Sequence, residues 1–283
     1  MLAVVITGVS SGIGHAATKL FTTQGIQVFG SVRNKEDAER LQKECGQNYY
    51  PLIFDVTDQE KVKSAAQYVR EQLQGNTLWG LINNAGIVVT GDLLHMPIKE
   101  FQKQLDVNLL GQLIVTQAFT PLLGADKKLK GTPGKIINIS SASGKNAYPF
   151  MGAYAISKHG LEAFSESLRR ELIIFGIDVI IVGPGAIKTS IWDKARKQPL
   201  LPELTDSIYN KPATNFKNYM LSNAEKSGLP AETVAKLLLH ILRSKRPKIR
   251  YAPTPHRLIN WVLLHTLPKR LLDWIIAKKI GLL

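Results

Sequence analysis

Tyr154 and Lys158 carry a phenol and an ammonium group four residues apart, in the segment Tyr-Ala-Ile-Ser-Lys. Residues at this spacing share one face of a helix, so the two side chains can meet. An ammonium near a phenol favours the phenolate and lowers the tyrosine pKa from about 10 toward neutral pH. The pair is therefore a candidate general acid/base. The same spacing also occurs on solvated helix faces, and the rest of the chain has to decide between these interpretations.

A glycine-rich turn follows the apolar run at residues 2–7, and a helical pattern of apolar residues follows the turn. Gly8 permits the tight turn, Gly12 lets the backbone approach a pyrophosphate, and Gly14 lets the helix pack closely on the strand. The free N–H groups at the start of the helix attract phosphate. Strand, turn and helix in this order predict a nucleotide site.

Arg33 stands at the end of the next predicted strand, residues 26–32. NAD enzymes of this build usually carry an acid there for the ribose hydroxyls, but the first acid in this chain is Glu36. An arginine attracts a 2′-phosphate, whereas a carboxylate would repel it. We therefore predict NADP(H) as the cofactor, with Arg33 as a solvated strand-end charge as the alternative.

Predicted strands and helices alternate along the chain. After the first two strands, further strands are predicted at 50–55, 80–84, 135–140 and 177–182, and helices at 36–46, 59–73, 98–123, 153–175 and 231–243. The alternation predicts an α/β fold with a doubly wound parallel sheet, Rossmann-like, whose ligands lie at the carboxyl ends of the strands. Asp55 and Val56 would there meet an adenine edge.

The chain is long enough for one large domain. We expect that domain at residues 1–250, with a substrate lid at about 190–228, and a basic amphipathic C-terminal extension at 251–283. Cys45 is the only cysteine, so no intrachain disulfide can form, which suits a reducing compartment. Residues 1–6 are predicted as a strand rather than a signal peptide, and we expect a cytoplasmic protein. The six histidines have no metal-ligand spacing, so we expect no metal site.

Several motifs then occur in one order along the chain. They are the three glycines of the turn, Asn-Asn-Ala-Gly at 83–86, Ser141, the pair Tyr154 and Lys158, and Pro184-Gly185 with Thr189. In this order and spacing the sequence resembles the classical short-chain dehydrogenase/reductases. Residues 189–192 and the long C-terminal extension resemble the branch of that family that acts on retinoids, steroids and other lipids.

The resemblance implies a catalytic set of four residues. Tyr154 would donate a proton to a carbonyl oxygen or accept one from an alcohol, and Lys158 would lower the phenol pKa and bind the nicotinamide ribose. Ser141 would hydrogen-bond the substrate oxygen, because its spacing from Tyr154 fits the family better than that of Ser140, the alternative. Asn108 would hold a helix bend and a water that links Lys158 to solvent.

The resemblance also implies which residues surround the ligands. Cofactor contacts are expected from Gly8, Ser10, Gly12, Ile13, Gly14, Arg33, Asp55, Val56, Asn83, Ala85, Gly86, Tyr154, Lys158, Pro184, Gly185, Ile187 and Thr189. Substrate contacts are expected from Ser141, Phe150, Tyr154 and Trp192, and the many apolar residues of the lid suit a hydrophobic substrate. Because dimers and tetramers are common in the family, we expect a homodimer or homotetramer.

The C-terminal stretch carries most of the excess positive charge. Residues 240–283 contain ten basic residues and one acidic residue, Asp273, which accounts for +9 of the formal net charge of +14. Leucines, isoleucines and tryptophans alternate with these charges over residues 256–283. This pattern is compatible with peripheral contact with a membrane interface, with a lid or dimer-packing element, or with a surface for an acidic partner such as acyl carrier protein. The stretch has no recognised nucleic-acid motif, and we expect no nucleic-acid partner.

These observations predict an NADP(H)-dependent oxidoreductase that interconverts a hydrophobic carbonyl and its alcohol, with a retinoid, a steroid or another lipid as substrate. Two alternatives stay open. The first is a 3-oxoacyl reductase that acts on carrier-bound acyl groups. The second is a non-catalytic NADP-binding scaffold or sensor, against which the complete set of four catalytic residues argues.

Overall fold

The computed structural model describes residues 2–189, 207–255 and 266–283. Its strands are β1 (Ala3–Ile6), β2 (Gln27–Val32), β3 (Tyr49–Ile53), β4 (Gly80–Asn83), β5 (Lys135–Ile139), β6 (Asp178–Val182), β7 (Ile187–Lys188), β8 (Leu229–Pro230) and β9 (Arg250–Tyr251). Its α-helices are α1 (Gly12–Thr23), α2 (Lys35–Cys45), α3 (Gln59–Gln72), α4 (Ile98–Leu105), α5 (Gly111–Phe119), α6 (Gly152–Glu171), α7 (Asn210–Ser227), α8 (Ala231–Arg243) and α9 (Lys269–Ile280).

Over the described ranges, seven strands form one parallel sheet in the order β3-β2-β1-β4-β5-β6-β9. The strand order reverses between β1 and β4, and a crevice opens at that point beyond the carboxyl ends of the strands. In the register of the sheet, Val5 of β1 lies between Phe29 of β2 and Leu81 of β4. The predicted doubly wound, Rossmann-like α/β fold is confirmed.

Both faces of the sheet are buried, which explains why its central strands are apolar without alternation. On one face, Val4 and Ile6 of β1 belong to a cluster with Phe21 of α1 and Leu238 of α8. On the other face, Ala3 and Val5 join residues of α3 and α5, such as Val69 and Phe119. The sheet is thus fixed between two helix layers, and its carboxyl edge is a rigid platform for a site.

The segment predicted as one long helix over residues 98–123 contains a break. Helix α4 passes into a π-helical turn at Asp106–Leu110, which leads directly into α5. A π-turn widens the helix by one residue per turn and often marks a functional site. Here it contains Asn108, which is completely buried.

Three short strands were not predicted. β7 pairs with β8 outside the main sheet, and β9 extends the main sheet because Arg250 and Tyr251 pair with Ile181 and Val182. The predicted domain boundary between residues 250 and 251 therefore falls inside a strand. Of the predicted lid, residues 190–206 lie outside the described residues, and α7 occupies most of the remainder.

The described ranges contain neither a membrane-spanning helix nor a metal-binding cluster. None of their helices has the length and apolarity needed to cross a membrane. They also contain no group of three or more His, Cys, Asp or Glu side chains arranged to hold a metal ion.

Candidate active site

The glycine-rich turn is clamped to the end of β4. Gly8 has a left-handed φ of +69°, and a Cβ at this position would lie 2.9 Å from Ala85 Cα. A Cβ at Gly14 would lie 2.4 Å from the Gly8 carbonyl oxygen. Asn84 Nδ2 donates to the carbonyl oxygens of Thr7 (2.8 Å) and Gly8 (3.0 Å). The turn is therefore a bare backbone cradle that a side chain would fill, which fits the pyrophosphate of a dinucleotide.

Three amide side chains hold the segment that follows Asn84. They are spaced four residues apart on the α4–π–α5 segment, so they share one face. Gln104 Oε1 accepts from Val89 N (2.7 Å), Asn108 Oδ1 accepts from Ile87 N (2.8 Å) and Gln112 Nε2 donates to Ala85 O (2.6 Å). Of these residues only Asn108 and Ala85 were predicted to be functional, although the four-residue spacing of the amides is visible in the sequence. This ladder fixes the loop beside the cofactor crevice.

The four predicted catalytic residues come together. The Ser141 hydroxyl hydrogen-bonds Tyr154, and Lys158 Nζ lies 5.8 Å from the centre of the Tyr154 ring. Lys158 Nζ also donates to the carbonyl oxygen of Ile139 at 2.8 Å. Asn108 Nδ2 donates to Ser157 Oγ (3.2 Å), one residue before Lys158. A phenol, a hydroxyl and an ammonium group therefore meet at the carboxyl end of β5.

Burial sets the proton affinities at this point. Burial raises the pKa of Tyr154 above its usual value, and the hydrogen bond from Ser141 lowers it in part. Burial also lowers the pKa of Lys158 to about 8, and the carboxylate of Glu162 opposes this effect. Lys158 was expected to lower the phenol pKa. In this structure the desolvation of the phenol outweighs the hydrogen bond from Ser141, so the phenol pKa is raised and Tyr154 is protonated at neutral pH.

The structure distinguishes the two candidate serines. The Ser141 hydroxyl reaches Tyr154, and it also accepts a hydrogen bond from Ser143 N at 3.1 Å. Ser140 is 4% exposed, and a Cβ at Gly144 would lie 2.6 Å from its Oγ. Successive side chains of an extended segment point to opposite sides. Ser141 is therefore the serine that lies at the site.

The nicotinamide end of the predicted cofactor site is also assembled. A Cβ at Gly12 would lie 3.3 Å from Thr189 Cγ2, so the segment after β6 lies against the glycine-rich turn. The Pro184 carbonyl oxygen accepts from Ala142 N at 2.7 Å. A Cβ at Gly185 would lie 2.4 Å from Thr254 Oγ1. Backbone atoms of this segment are thus fixed on two sides. Gly86 lies beside the catalytic residues, because a Cβ at this position would be 3.2 Å from Asn108 Oδ1 and 3.9 Å from Lys158 Nζ.

Three predicted cofactor residues have buried side chains, and a fourth, Asp55, hydrogen-bonds within its own turn. Asn83 is 1% exposed and donates to Thr116 Oγ1 and Asn138 Oδ1, while Val56 and Ile187 are buried in the core. The carboxylate of Asp55 accepts from the backbone and hydroxyl of Thr57. The predicted cofactor contacts of Asn83, Val56 and Ile187 therefore fall to their backbone atoms and stay a prediction. Only their backbone atoms can reach a cofactor, because their side chains belong to buried faces of the sheet.

The adenosine side of the crevice carries two arginines. Arg33 is exposed at the end of β2. Arg40, which the sequence analysis did not name, donates to the carbonyl oxygen of Ser10 (2.8 Å) and pairs with Asp37 and Glu44. Because two carboxylates already neutralise Arg40, Arg33 is the better placed of the two to attract a phosphate. Ile13, three residues after Ser10, is partly buried and packs against the core.

An apolar cluster adjoins Tyr154. The residues that form it come from the loop before α6, from α7 and from α9, and they pack as one cluster with Tyr154: Tyr148, Phe150, Met151, Tyr209, Ala213, Phe216, Met220, Ile276 and Ile280, with Val88. Phe150 has a left-handed φ of +63°, which is rare for a bulky residue and costs about 1 kcal/mol. Its carbonyl oxygen accepts from Gly91 N at 2.9 Å. Trp192 lies outside the described residues.

Helix α9 packs against the apolar cluster beside Tyr154. Its residues Leu272 and Ile280 are buried, and Ile276 is partly buried, so one stripe at four-residue spacing faces inward. Asn215 Nδ2 of α7 donates to the carbonyl oxygen of Ile280 at 3.1 Å. Lys279 Nζ lies 3.8 Å from the ring centre of Tyr219. Within the described part of the extension, α9 therefore packs on the apolar cluster beside Tyr154, which is compatible with the lid interpretation.

Comparisons with known proteins find relatives along most of the chain. A family model described as short chain dehydrogenase matches residues 2–200. An NADPH-dependent 3-dehydrocapnine reductase from Ornithobacterium rhinotracheale is 39% identical over 274 residues, which cover 97% of this chain and 95% of that protein. Retinol dehydrogenase 7 from Rattus norvegicus is 35% identical, with coverage of 88% and 79%.

A solved structure shows the same fold. It is a short chain dehydrogenase/reductase from Burkholderia phymatum in complex with NAD, with a TM-score of 0.78 and 21% sequence identity. The match covers 96% of this chain and 94% of that one.

Proposed function

Because the chain belongs to the short-chain dehydrogenase family, and so is an oxidoreductase of the CH–OH/C=O couple, we propose that it interconverts a hydrophobic carbonyl compound and its alcohol with NADP(H). One observation carries this proposal. The protonated phenol of Tyr154, bonded to Ser141 and beside Lys158, borders a cluster of apolar side chains. A proton donor next to apolar side chains suits a lipid-like ketone or aldehyde.

The chain's own residues orient the substrate and move the proton. Ser141 and Tyr154 donate hydrogen bonds to the carbonyl oxygen and stabilise the negative charge that develops there. When bound, NADPH supplies the hydride that forms the new C–H bond. Tyr154 then gives its proton to the oxygen, and the Lys158 ammonium stabilises the phenolate that remains. The raised pKa of Tyr154 suits this role, because a donor must hold its proton at working pH.

The substrate we favour is 3-dehydrocapnine or a similar hydrophobic carbonyl compound. The 39% identical relative is a reductase of 3-dehydrocapnine, and the match covers nearly the full length of both chains. The test is NADPH consumption by the purified protein over a panel of 3-dehydrocapnine, retinal, ketosteroids, long-chain aldehydes and 3-oxoacyl thioesters. A preference for the carrier-type thioesters would instead favour the alternative 3-oxoacyl reductase.

Arg33 should decide the choice between NADPH and NADH. Arg33→Asp replaces the exposed cation at the end of β2 by an anion, which would repel the 2′-phosphate. We expect the ratio of kcat/KM for NADPH to that for NADH to fall by about 100-fold, which is about 2.7 kcal/mol. Lys35→Asp, with the same charge change at an exposed position two residues away, is the control. An unchanged ratio in Arg33→Asp would remove Arg33 from cofactor selection.

We also propose that α9 makes peripheral contact with an anionic membrane surface. The face of α9 that points away from the apolar cluster carries Leu271, Trp274 and Ile275, which are 44%, 51% and 40% exposed. Lys269, Arg270, Lys278 and Lys279 flank this face, and Lys278 Nζ lies 5.0 Å from the Trp274 ring centre. A tryptophan and leucines among cations are typical of a helix that lies in a lipid interface. The other face of α9 packs on the apolar cluster that contains Tyr154, so the proposed membrane contact would bring lipid close to the site.

Trp274→Glu should weaken binding to anionic vesicles. The variant places a carboxylate where an indole would enter the headgroup region, and we expect vesicle affinity to fall about tenfold or more in sedimentation. Ile173→Glu, at an isoleucine that is 68% exposed on the turn after α6, is the matched control and should bind as the wild type does. Equal sedimentation of both variants and the wild type would overturn the membrane proposal.

A homodimer or homotetramer also stays a proposal. The surface that suits it within the described part of the chain is a groove of about 490 Å³ between α5 and α6, lined by Leu113, Phe164 and Leu168. Light scattering of the purified protein measures the oligomeric state directly.

A further inference from the structure

A buried ion pair lies directly behind the catalytic residues. Glu162 of α6 is 4% exposed and receives three hydrogen bonds from Arg250 of β9. Arg250 Nε donates to Oε2 (2.9 Å) and Oε1 (3.2 Å), and Nη2 donates to Oε1 (3.0 Å). Lys145 Nζ lies 3.5 Å from Oε2 at the more exposed edge of the pair. Removing a carboxylate from water is costly, so a bidentate pair at this depth requires a structural or functional reason.

Glu162 continues the catalytic face of α6. Tyr154, Lys158 and Glu162 follow one another at four-residue spacing, so their side chains form one row. Glu162 is thus the acid one helical turn beyond Lys158. Its negative charge raises the pKa of Lys158, which burial lowers to about 8. A carboxylate there favours the protonated form of the Lys158 ammonium at working pH.

Glu162 and Arg250 also contact the backbone around the site. A Cβ at Gly144, in the turn after Ser141, would lie 3.1 Å from Glu162 Oε1. A Cβ at Gly183, just before the predicted nicotinamide segment, would lie 2.5 Å from Arg250 Nη2 and 3.1 Å from the Ser141 carbonyl oxygen. The pair therefore fills the space where the Ser141 loop, α6 and the end of β6 meet.

We propose that Glu162, held by Arg250, is a positioning residue: its carboxylate keeps Lys158 charged, and the pair fixes the Ser141 loop against α6. The proposal rests on the proposed carbonyl reduction, which it deepens. The charged groups that face Glu162 are Lys158 on its own helix, Lys145 on the loop after β5, and Arg250 on β9. Since Arg250 and Lys145 are both cations, Glu162 is the acid that offsets them beside Lys158.

The direct test is an NMR titration of the lysine Nζ groups in protein labelled with [¹⁵N]lysine, with the Lys158 signal identified by its loss in Lys158→Met. In Glu162→Gln the midpoint for Lys158 should fall by about one pH unit, because the negative charge one turn away is gone. Glu166→Gln, at an exposed acid one turn further that pairs with Arg170, should leave the midpoint unchanged. Glu162→Asp, which keeps the charge, should restore most of the wild-type midpoint.

The reduction rate gives a second readout. Because the ammonium stabilises the phenolate, activity should decline above the pH at which Lys158 loses its proton, and this decline should begin about one pH unit lower in Glu162→Gln. A wild type without turnover would contradict the proposed function, whereas a Glu162→Gln variant with unshifted midpoint and pH profile would overturn only this inference. If the single variant does not fold, Glu162→Gln with Arg250→Gln leaves no unpaired buried charge and should lower the midpoint in the same direction by a smaller amount, because a cation is lost with the carboxylate.

Discussion

Tyr154→Phe should reduce NADPH-dependent carbonyl reduction by about 10³-fold, which corresponds to about 4 kcal/mol of transition-state stabilisation. The substitution removes only the phenol oxygen, so the ring keeps its place in the cluster with Phe150 and Ile280. What is lost is the proton donor and its hydrogen bond with Ser141. The measurement is kcat with the best substrate of the panel, at saturating NADPH.

Two further values make this experiment specific. NADPH affinity and the melting temperature should stay near those of the wild type, because neither depends on the phenol oxygen alone. Tyr148→Phe is a matched control, because Tyr148 belongs to the same apolar cluster and loses the same atom. We expect it to retain most of the activity. Turnover of Tyr154→Phe within tenfold of the wild type would mean that another group donates the proton.

Gly14→Ala should abolish NADPH binding and destabilise the fold by about 3 kcal/mol. The added methyl group would lie 2.4 Å from the Gly8 carbonyl oxygen and 2.6 Å from Asn84 Nδ2. The first of these atoms is backbone, and the second belongs to the side chain that clamps the turn at Thr7 and Gly8. Relief of the clash therefore requires α1 to move away from the cradle.

The control for this variant is Gly160→Ala, the same substitution in another helix. Its methyl group would meet the flexible end of Leu109 at 3.0 Å and no backbone atom closer than that. We expect a change in stability within about 1 kcal/mol, because alanine also has the higher helix propensity. Calorimetry for NADPH affinity and thermal unfolding for stability check both variants. Normal NADPH affinity in Gly14→Ala would show that the turn is not the pyrophosphate site.

The sequence was sufficient to predict the sheet and the carboxyl-edge location of the site, because apolar strands and amphipathic helices alternate regularly. It was not sufficient to orient individual side chains. Strands buried on both faces have no polar alternation, so nothing in the sequence indicated that Asn83 donates to Thr116 and Asn138. The spacing of Tyr154 and Lys158 also does not show that the phenol is buried, and it is this burial that raises the phenol pKa.

Contacts between residues that are far apart in the sequence could not be predicted either. Glu162 and Arg250 are 88 residues apart, and β9 has only two residues in a strongly basic stretch. No local period predicts such a contact. The amide ladder of Gln104, Asn108 and Gln112 did have a local signal, its four-residue spacing, but that spacing also occurs in ordinary polar helices.

The most direct test of carbonyl reduction is hydride transfer from NADPH that carries two deuterium atoms at C4. The product of the wild type, formed from the best ketone of the panel, should contain one deuterium on the carbinol carbon for each NADPH consumed, and the Tyr154→Phe variant should form this product about 10³-fold more slowly. Tight NADPH binding without label in any product would contradict the account and would favour a protein that binds the nucleotide as a sensor or scaffold.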